Sequence, residues 1–339
     1  MENRPLVSFI IPVYKTPEQL LRNCLDSVLK YSQPMELICV LDSPGDPCEK
    51  VLDEYVAKEP QMRLLKNDRN RGVSYSRNRG MDAATGEYLA FVDADDEILS
   101  ETYEAVVCFA ARNLLDACAV SANNFKHETW VGVKYGDGLQ GVLKDPEVGK
   151  VLAMAFDWAV YPLVLRRNYL LGRRIRFVEG RRYGEDFVFV TQVLCSKGCF
   201  GALNLNGYKS VGHSASACRA SGGSARYVQG VSSSLDVLKI AVTEKVSQSL
   251  LSWYVVKTIW LSLLHRQINR YVAGEDRKIY CRLIREYFGL ISHECREAVT
   301  GPTRILSKLV FVWPRIWFLP FAPAVMVLKA LNRFNGIAK

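Results

Sequence analysis

The chain has 339 residues, 49% hydrophobic and 23% charged, an ordinary globular composition long enough for one large domain or two smaller ones. Its formal net charge of +9 favours acidic partners such as nucleotides, nucleic acid or an anionic membrane face, but the basic residues are dispersed and no nucleic-acid-binding motif is present. Ten cysteines form no CxxC pair; Cys195 and Cys199 are the closest in spacing and lack partners nearby, which excludes a zinc site of ordinary spacing. No signal-peptide pattern opens the sequence, so the cysteines are expected to be reduced and the protein cytoplasmic.

Val7 to Ile11 is an apolar run closed by Pro12 and predicts a buried strand. Thr16-Pro17-Glu18 predicts a helix start with Thr16 as N-cap, and the 3.6-residue face continues through Leu20, Leu21, Cys24, Leu25, Val28 and Leu29. A second strand runs from Glu36 to Leu41 and ends on Asp42. A helix from Asp46 to Ala57, a short strand from Met62 to Leu65 and a helix from Val73 to Ala84 follow. Strand and helix alternating at this spacing predict an α/β fold with a mainly parallel sheet. Such sheets bind ligands at the carboxyl ends of their strands, here Pro12-Val13-Tyr14, Asp42, Asn67-Asp68 and Asp93-Ala94-Asp95.

The stretch from Tyr88 to Asp96 is apolar for five residues and then carries three carboxylates in four positions. In an extended chain Asp93 and Asp95 share a face and Asp96 points the other way. Two adjacent carboxylates repel unless a positive group sits between them. Mg²⁺ fits, since it takes one or two carboxylates plus phosphate oxygens; an acidic turn ending a strand is the competing reading. Arg71, Arg77 and Arg79 crowd the preceding helix. Their forks suit diphosphate oxygens, although Arg79, near Asp82 and Glu87, reads better as part of a solvated face.

Taken together, residues 7–14, Asp42, the run Asn70-Arg-Gly-Val-Ser-Tyr-Ser-Arg-Asn-Arg-Gly80 and the run Gly86 to Asp96 resemble a family 2 glycosyltransferase with the GT-A fold. The resemblance covers roughly the first hundred residues. It implies a nucleotide-sugar donor, most often a uridine diphosphate sugar, a Mn²⁺ or Mg²⁺ ion, and inversion at the anomeric carbon. Carried over by position, Pro12, Tyr14 and Asp42 would hold base and ribose, and Asn70, Gly72 and Arg77 would line the donor site. Asp93 would face ribose or metal with Ala94 beside it, and Asp95 would be the principal metal ligand. One departure is Ser43-Pro44-Gly45 after Asp42, where the family commonly has Asp-Gly-Ser; Pro44 stiffens this turn.

Further along, 101–115 reads as a helix, 117–121 as a strand and 123–140 as a hairpin or loop. Residues 157–171 resemble the segment that shapes the acceptor side, where Trp158 could stack on a sugar or lie in the core. Glu185-Asp186 is the second chemical centre. By itself the pair is a common helix-opening pattern. An inverting transfer needs a base opposite the departing diphosphate, and the resemblance makes Asp186 that base, with Glu185 as runner-up or acceptor contact. His213 is a candidate metal or phosphate contact, set against a satisfied or exposed histidine.

By this reading residues 1–216 form the catalytic domain, 1–105 on the donor side and 106–216 on the acceptor side. Residues 217–232, rich in Ser, Gly and Ala, form a loop or linker, and 233–339 a helical region. Within it, 305–331 is apolar with interspersed cations and four clustered aromatics. Its uncharged run, 316–328, is too short for a span, which needs about 20 residues. That composition fits attachment at the membrane interface, on the inner face, more than a buried helix. The expected function is transfer of a sugar to a surface polysaccharide or a lipid-linked glycan; the alternative is a non-catalytic nucleotide-sugar-binding or scaffold protein of the same fold.

Overall fold

The computed structural model describes residues 6–126, 129–132, 141–143, 159–211, 223–246, 251 and 274–293. The first hundred residues alternate as the sequence predicts: β1 (Val7–Val13), α1 (Glu18–Leu29), β2 (Met35–Leu41), α2 (Cys48–Val56), β3 (Met62–Lys66), α3 (Val73–Ala83) and β4 (Tyr88–Phe91). β5 (Glu97–Ile98), α4 (Ser100–Arg112), β6 (Ala117–Lys126), β7 (Thr129–Gly132) and β8 (Gly141–Leu143) follow. Next come β9 (Leu163–Arg166), α5 (Arg167–Arg173), α6 (Glu185–Cys195), β10 (Phe200–Val211), α7 (Gly223–Thr243) and α8 (Gly274–His293).

The strands form one sheet in the order β3-β2-β1-β4-β9-β6-β10-β5, with β7 on β6 and β8 on β10. β1, β2, β3 and β4 are mutually parallel, as are β6 and β10, whereas β9 is antiparallel to both of its neighbours and joins the two parallel blocks. The sheet is thus mixed and mostly parallel. Alternate β1 residues face opposite cores. Val7, Phe9, Ile11 and Val13 pack with side chains of α1, α2 and α4, while Ile10 packs with residues of α3, α5 and α6. A strand with helices on both faces must be apolar on both, which is why it reads as an unbroken hydrophobic run. Each fully buried side chain of this kind contributes about 1.5–3 kcal/mol relative to exposure.

Two local expectations are corrected. β1 does not stop at Pro12 but runs through it to Val13. β4 pairs only with Val7 to Ile10, so the missing N–H of Pro12 falls where β1 has a neighbour on one side alone. Thr16 does not cap α1: the helix opens at Glu18, and the extended Pro17 supplies the carbonyl that accepts the Leu21 amide at 3.0 Å. α7 packs against α6, and α8 against α7. Trp158, His213, residues 217–222 and the segment 305–331 lie outside the described residues, whereas 223–232, expected to be loop or linker, form the first half of α7. Among the described residues no helix is long and apolar enough to cross a membrane.

Candidate active site

The carboxyl ends of β1 to β4 carry the residues singled out by sequence. Asp42, at the end of β2, is buried and accepts four hydrogen bonds. Asn67 Nδ2 (2.8 Å), the Arg71 amide (2.9 Å) and Ser76 Oγ (3.1 Å) donate to Oδ1, and the Gly72 amide (2.8 Å) donates to Oδ2. Asp42 therefore ties the loop after β3 to the first turn of α3. Gly72 sits at the N-cap of α3 with φ +85°, a conformation in which a side chain is strained. Asn70 is exposed on this loop and Tyr14 is exposed beyond β1, with Lys15 Nζ 5.2 Å from its ring centroid. Pro12, within β1 and paired with Val40 of β2, is half-buried.

The acidic stretch leaves the strand and turns. The Asp96 amide donates to the Asp93 carbonyl at 3.0 Å, so the alternation expected of an extended chain ends at β4. Asp96 points into the molecule, where it accepts from Tyr208 Oη (2.8 Å) and the Val211 amide (2.7 Å). Burial, with Asp93 and Asp95 alongside, pushes its carboxyl up to about 8 against those two donors. Tyr208 Oη in turn accepts the Asp93 amide at 3.1 Å, and Tyr161 stacks on the Tyr208 ring with centroids 4.1 Å apart. Ala94 is buried, while Asp93 and Asp95 are half-buried on the outer side of the turn.

Arg77 connects this turn to the Glu185-Asp186 pair. Projecting from α3 with its side chain only 3% exposed, it donates through Nη2 to Asp93 Oδ1 (2.8 Å) and through Nη1 to Asp186 Oδ1; Glu185 Oε1 lies 3.6 Å from Nη1. The guanidinium also lies 5.2 Å from the Phe177 ring centroid. Glu185 and Asp186 open α6, where the helix dipole favours carboxylates. Burial raises both; the mutual repulsion of the pair adds to it at Glu185, which reaches about 8, and Arg77 pulls both back. Three carboxylates thus face one guanidinium.

Glycosyl transferase family 2 matches residues 8–147, and the acidic turn and the Asp42 network fall inside that span. Residues 8–147 of the chain belong to glycosyl transferase family 2. It is 32% identical over 202 residues, 57% of this chain and 58% of the relative, to the uncharacterized glycosyltransferase YibD of Escherichia coli K12. It is 35% identical over 114 residues, 32% of this chain and 18% of the relative, to the poly(ribitol-phosphate) beta-glucosyltransferase of Bacillus spizizenii. The chain thus spans little more than half the length of the first of these relatives. In fold it is similar to S. aureus TarS 1-349 in complex with UDP-GlcNAc, with a TM-score of 0.72, 17% identity and coverage of 90% of this chain and 87% of that one. That likeness extends the GT-A architecture well beyond residue 147.

Within this family 2 fold, Arg77 is a bridge between carboxylates, with both terminal nitrogens engaged. Arg79 is not part of a solvated face: its Nη1 donates to the Lys66 carbonyl (2.6 Å) and to Asn67 Oδ1 (2.7 Å), which orients the Asn67 amide toward Asp42. Sequence reasoning placed Asn67 at a ligand-binding strand end but missed its bond to Asp42, and it missed the parts of Ser76 and Tyr208. The order Asp42, Asn67, Ser76 at successive strand and helix ends was the available signal for Asn67 and Ser76. Among the described residues no three His, Cys, Asp or Glu side chains converge in a metal-holding group. The outer acidic turn nevertheless fits a hard divalent cation: Asp93 and Asp95 are oxygen donors, the carboxylates outnumber the guanidinium, and such a cation takes only one or two carboxylates when a diphosphate supplies the rest.

Proposed function

We propose that this protein transfers a sugar from a uridine diphosphate donor to an acceptor hydroxyl of a cell-envelope polymer or lipid-linked glycan, with inversion. The observation that carries the reading is the Arg77 bridge, which puts Asp186 one side chain away from the acidic turn. The UDP-GlcNAc complex of TarS and the poly(ribitol-phosphate) relative support the choice of donor and acceptor class.

In this reading the donor lies across the carboxyl ends of β1 to β4. The Asp42 network holds the loop 67–72 in shape against it, and Pro12 and Tyr14 flank the base. Asp93 and Asp95 would hold Mn²⁺ or Mg²⁺, which when bound neutralises the diphosphate as it departs. Asp186 takes the proton of the acceptor hydroxyl. Burial, which raises its carboxyl, makes it a better base, while Arg77 keeps enough of it ionised to act. Glu185 lies beside it, positioned to contact the acceptor. Arg77 keeps Asp186 aligned until the acceptor arrives. The apolar segment 305–331 would bring the enzyme to a membrane-borne acceptor.

The test is a screen of nucleotide-sugar donors with the purified protein and Mn²⁺, read as nucleotide release with and without envelope-polymer acceptors. Acceptor-dependent release of UDP from one donor supports the reading. Binding of UDP-sugars with no turnover on any acceptor favours a non-catalytic role.

A further inference from the structure

The segment that delivers Glu185 and Asp186 is held by α7, a helix further along the chain. α6 begins abruptly after Gly184, whose φ is +74°. The amides of Arg182 and Tyr183, just ahead of the helix, both donate to a single acceptor on α7, Gln229 Oε1, at 2.9 and 3.1 Å. Ser233, one turn further along α7, lies within hydrogen-bond reach of the Tyr183 carbonyl (3.2 Å) and receives Arg181 Nη1 (3.1 Å). Arg181 Nη2 donates to Ser232 Oγ (3.2 Å) and Asp236 Oδ2 (2.6 Å). The contact is close: a Cβ on Gly184 would lie 2.5 Å from Ser233 Oγ. On the other side of the loop, Ser74 of α3 donates to the Arg181 carbonyl at 3.4 Å. The helix that carries Gln229 thus grips residues 181–184, and the helix that carries Arg77 meets the same segment at Arg181.

We propose that Gln229 and Ser233 are positioning residues, and that α7 sets the placement of Asp186 by fixing the backbone of 181–184. Resting on the proposed transfer reaction, the inference assigns to α7 a part in placing the carboxylates that open α6. One side-chain oxygen satisfying two consecutive amides defines the rotation at which the chain enters α6, and with it the direction of the first-turn side chains. A displacement of about 1 Å at a reacting group can cost on the order of 100-fold in rate.

The experiment compares wild type with Gln229→Leu and Gln229→Glu in the full chain. Gln229→Glu keeps an acceptor oxygen, and Gln229→Leu removes it at similar size. Expected are a 10- to 100-fold lower kcat for Gln229→Leu with the donor KM within about twofold, recovery of most of the rate in Gln229→Glu, and faster hydrogen exchange at the amides of 182 and 183 in Gln229→Leu alone. Ser233→Ala should lower kcat in the same sense without that change at 182. A normal kcat in Gln229→Leu despite faster exchange overturns the proposal, as does unchanged exchange. Wild type that binds UDP but transfers nothing overturns the transfer reading, and the positioning role falls with it, while the exchange data still report the grip itself. If Gln229→Leu and Gln229→Glu lose rate and thermal stability equally, the role is structural and the proposal fails.

Discussion

Arg77 and Asp186 are 109 residues apart in sequence and share a hydrogen bond, while the other terminal nitrogen of the same guanidinium holds Asp93 at 2.8 Å. One buried side chain therefore spans the turn after β4 and the start of α6. The position of Asp186 relative to the acidic turn follows from α3, which packs on β1 and β2 and presents Arg77 between them. The proposed single-displacement transfer draws on this arrangement, with the acidic turn assigned to the departing diphosphate and Asp186 to the proton of the acceptor.

Removing the bridge should expose what it balances. Arg77→Met leaves carboxylates packed without a counter-charge, and breaking a buried pair in this way costs about 3–5 kcal/mol. Because Asp93 and Asp186 keep some exposure, a loss near the lower end, about 3 kcal/mol, is expected in urea unfolding. Arg77→Lys, which keeps the charge but not the fork, should fall between. An unchanged unfolding midpoint in Arg77→Met would show that the bridge is incidental.

The sheet has its own buried carboxylate, remote from the chemistry. Glu36 on β2 accepts from Ser8 Oγ (2.6 Å), Thr85 Oγ1 (2.8 Å) and the amides of Thr85 and Gly86. Burial acts to raise it, but these donors win and hold it below the usual carboxylate range. A folded-state value below the unfolded one gives stability that is present above about pH 4.3 and lost as pH falls through the folded value. Wild type should therefore exceed Glu36→Gln by about 1–2 kcal/mol at pH 7, and the gap should close on the acid side of pH 4. Urea unfolding at pH 7, 5, 4 and 3 reads it; a gap that stays constant across this range would contradict the ionised role.

Asp95 is assigned to the donor's metal. Asp95→Ala should weaken Mn²⁺-dependent binding of UDP by at least about tenfold, while UDP binding measured in EDTA stays as weak as in wild type. Titration calorimetry in the two buffers separates these. Equal Mn²⁺-dependent affinity in wild type and variant would remove Asp95 as a ligand.

The alternation of strand and helix up to β4 was legible because each strand is a short apolar run, α1 and α2 each have one apolar face, and α3, whose buried residues are mostly polar, is marked off by Asn70-Arg71-Gly72 before it and Gly86 after it; Asp42, Asp93 and Asp186 stood out at element ends. What sequence could not give were the neighbours. β9, four residues long, separates the two parallel blocks as an antiparallel strand, and β5 has only two residues, so neither carries a pattern of its own. Asp96 was expected to point away from Asp93 by alternation. It does point away, but because a turn delivers it to Tyr208, 112 residues later. Arg79 looked solvated because its local neighbours are acidic, whereas its partners are the Lys66 carbonyl and Asn67 on the loop after β3. Gln229 carries no local signal at all, since its acceptor role exists only once α7 meets the loop at 182 and 183.

The most direct test of the account is Asp186→Asn, assayed for UDP binding by calorimetry and for sugar transfer by product formation on the donor and acceptor that wild type uses. The substitution keeps the size of the side chain and an oxygen to accept from Arg77 but removes the basic carboxylate. Donor affinity within about twofold of wild type and transfer reduced at least 100-fold are predicted. Transfer at the wild-type rate would contradict the assignment of Asp186 as the base, and with it the mechanism built across Arg77.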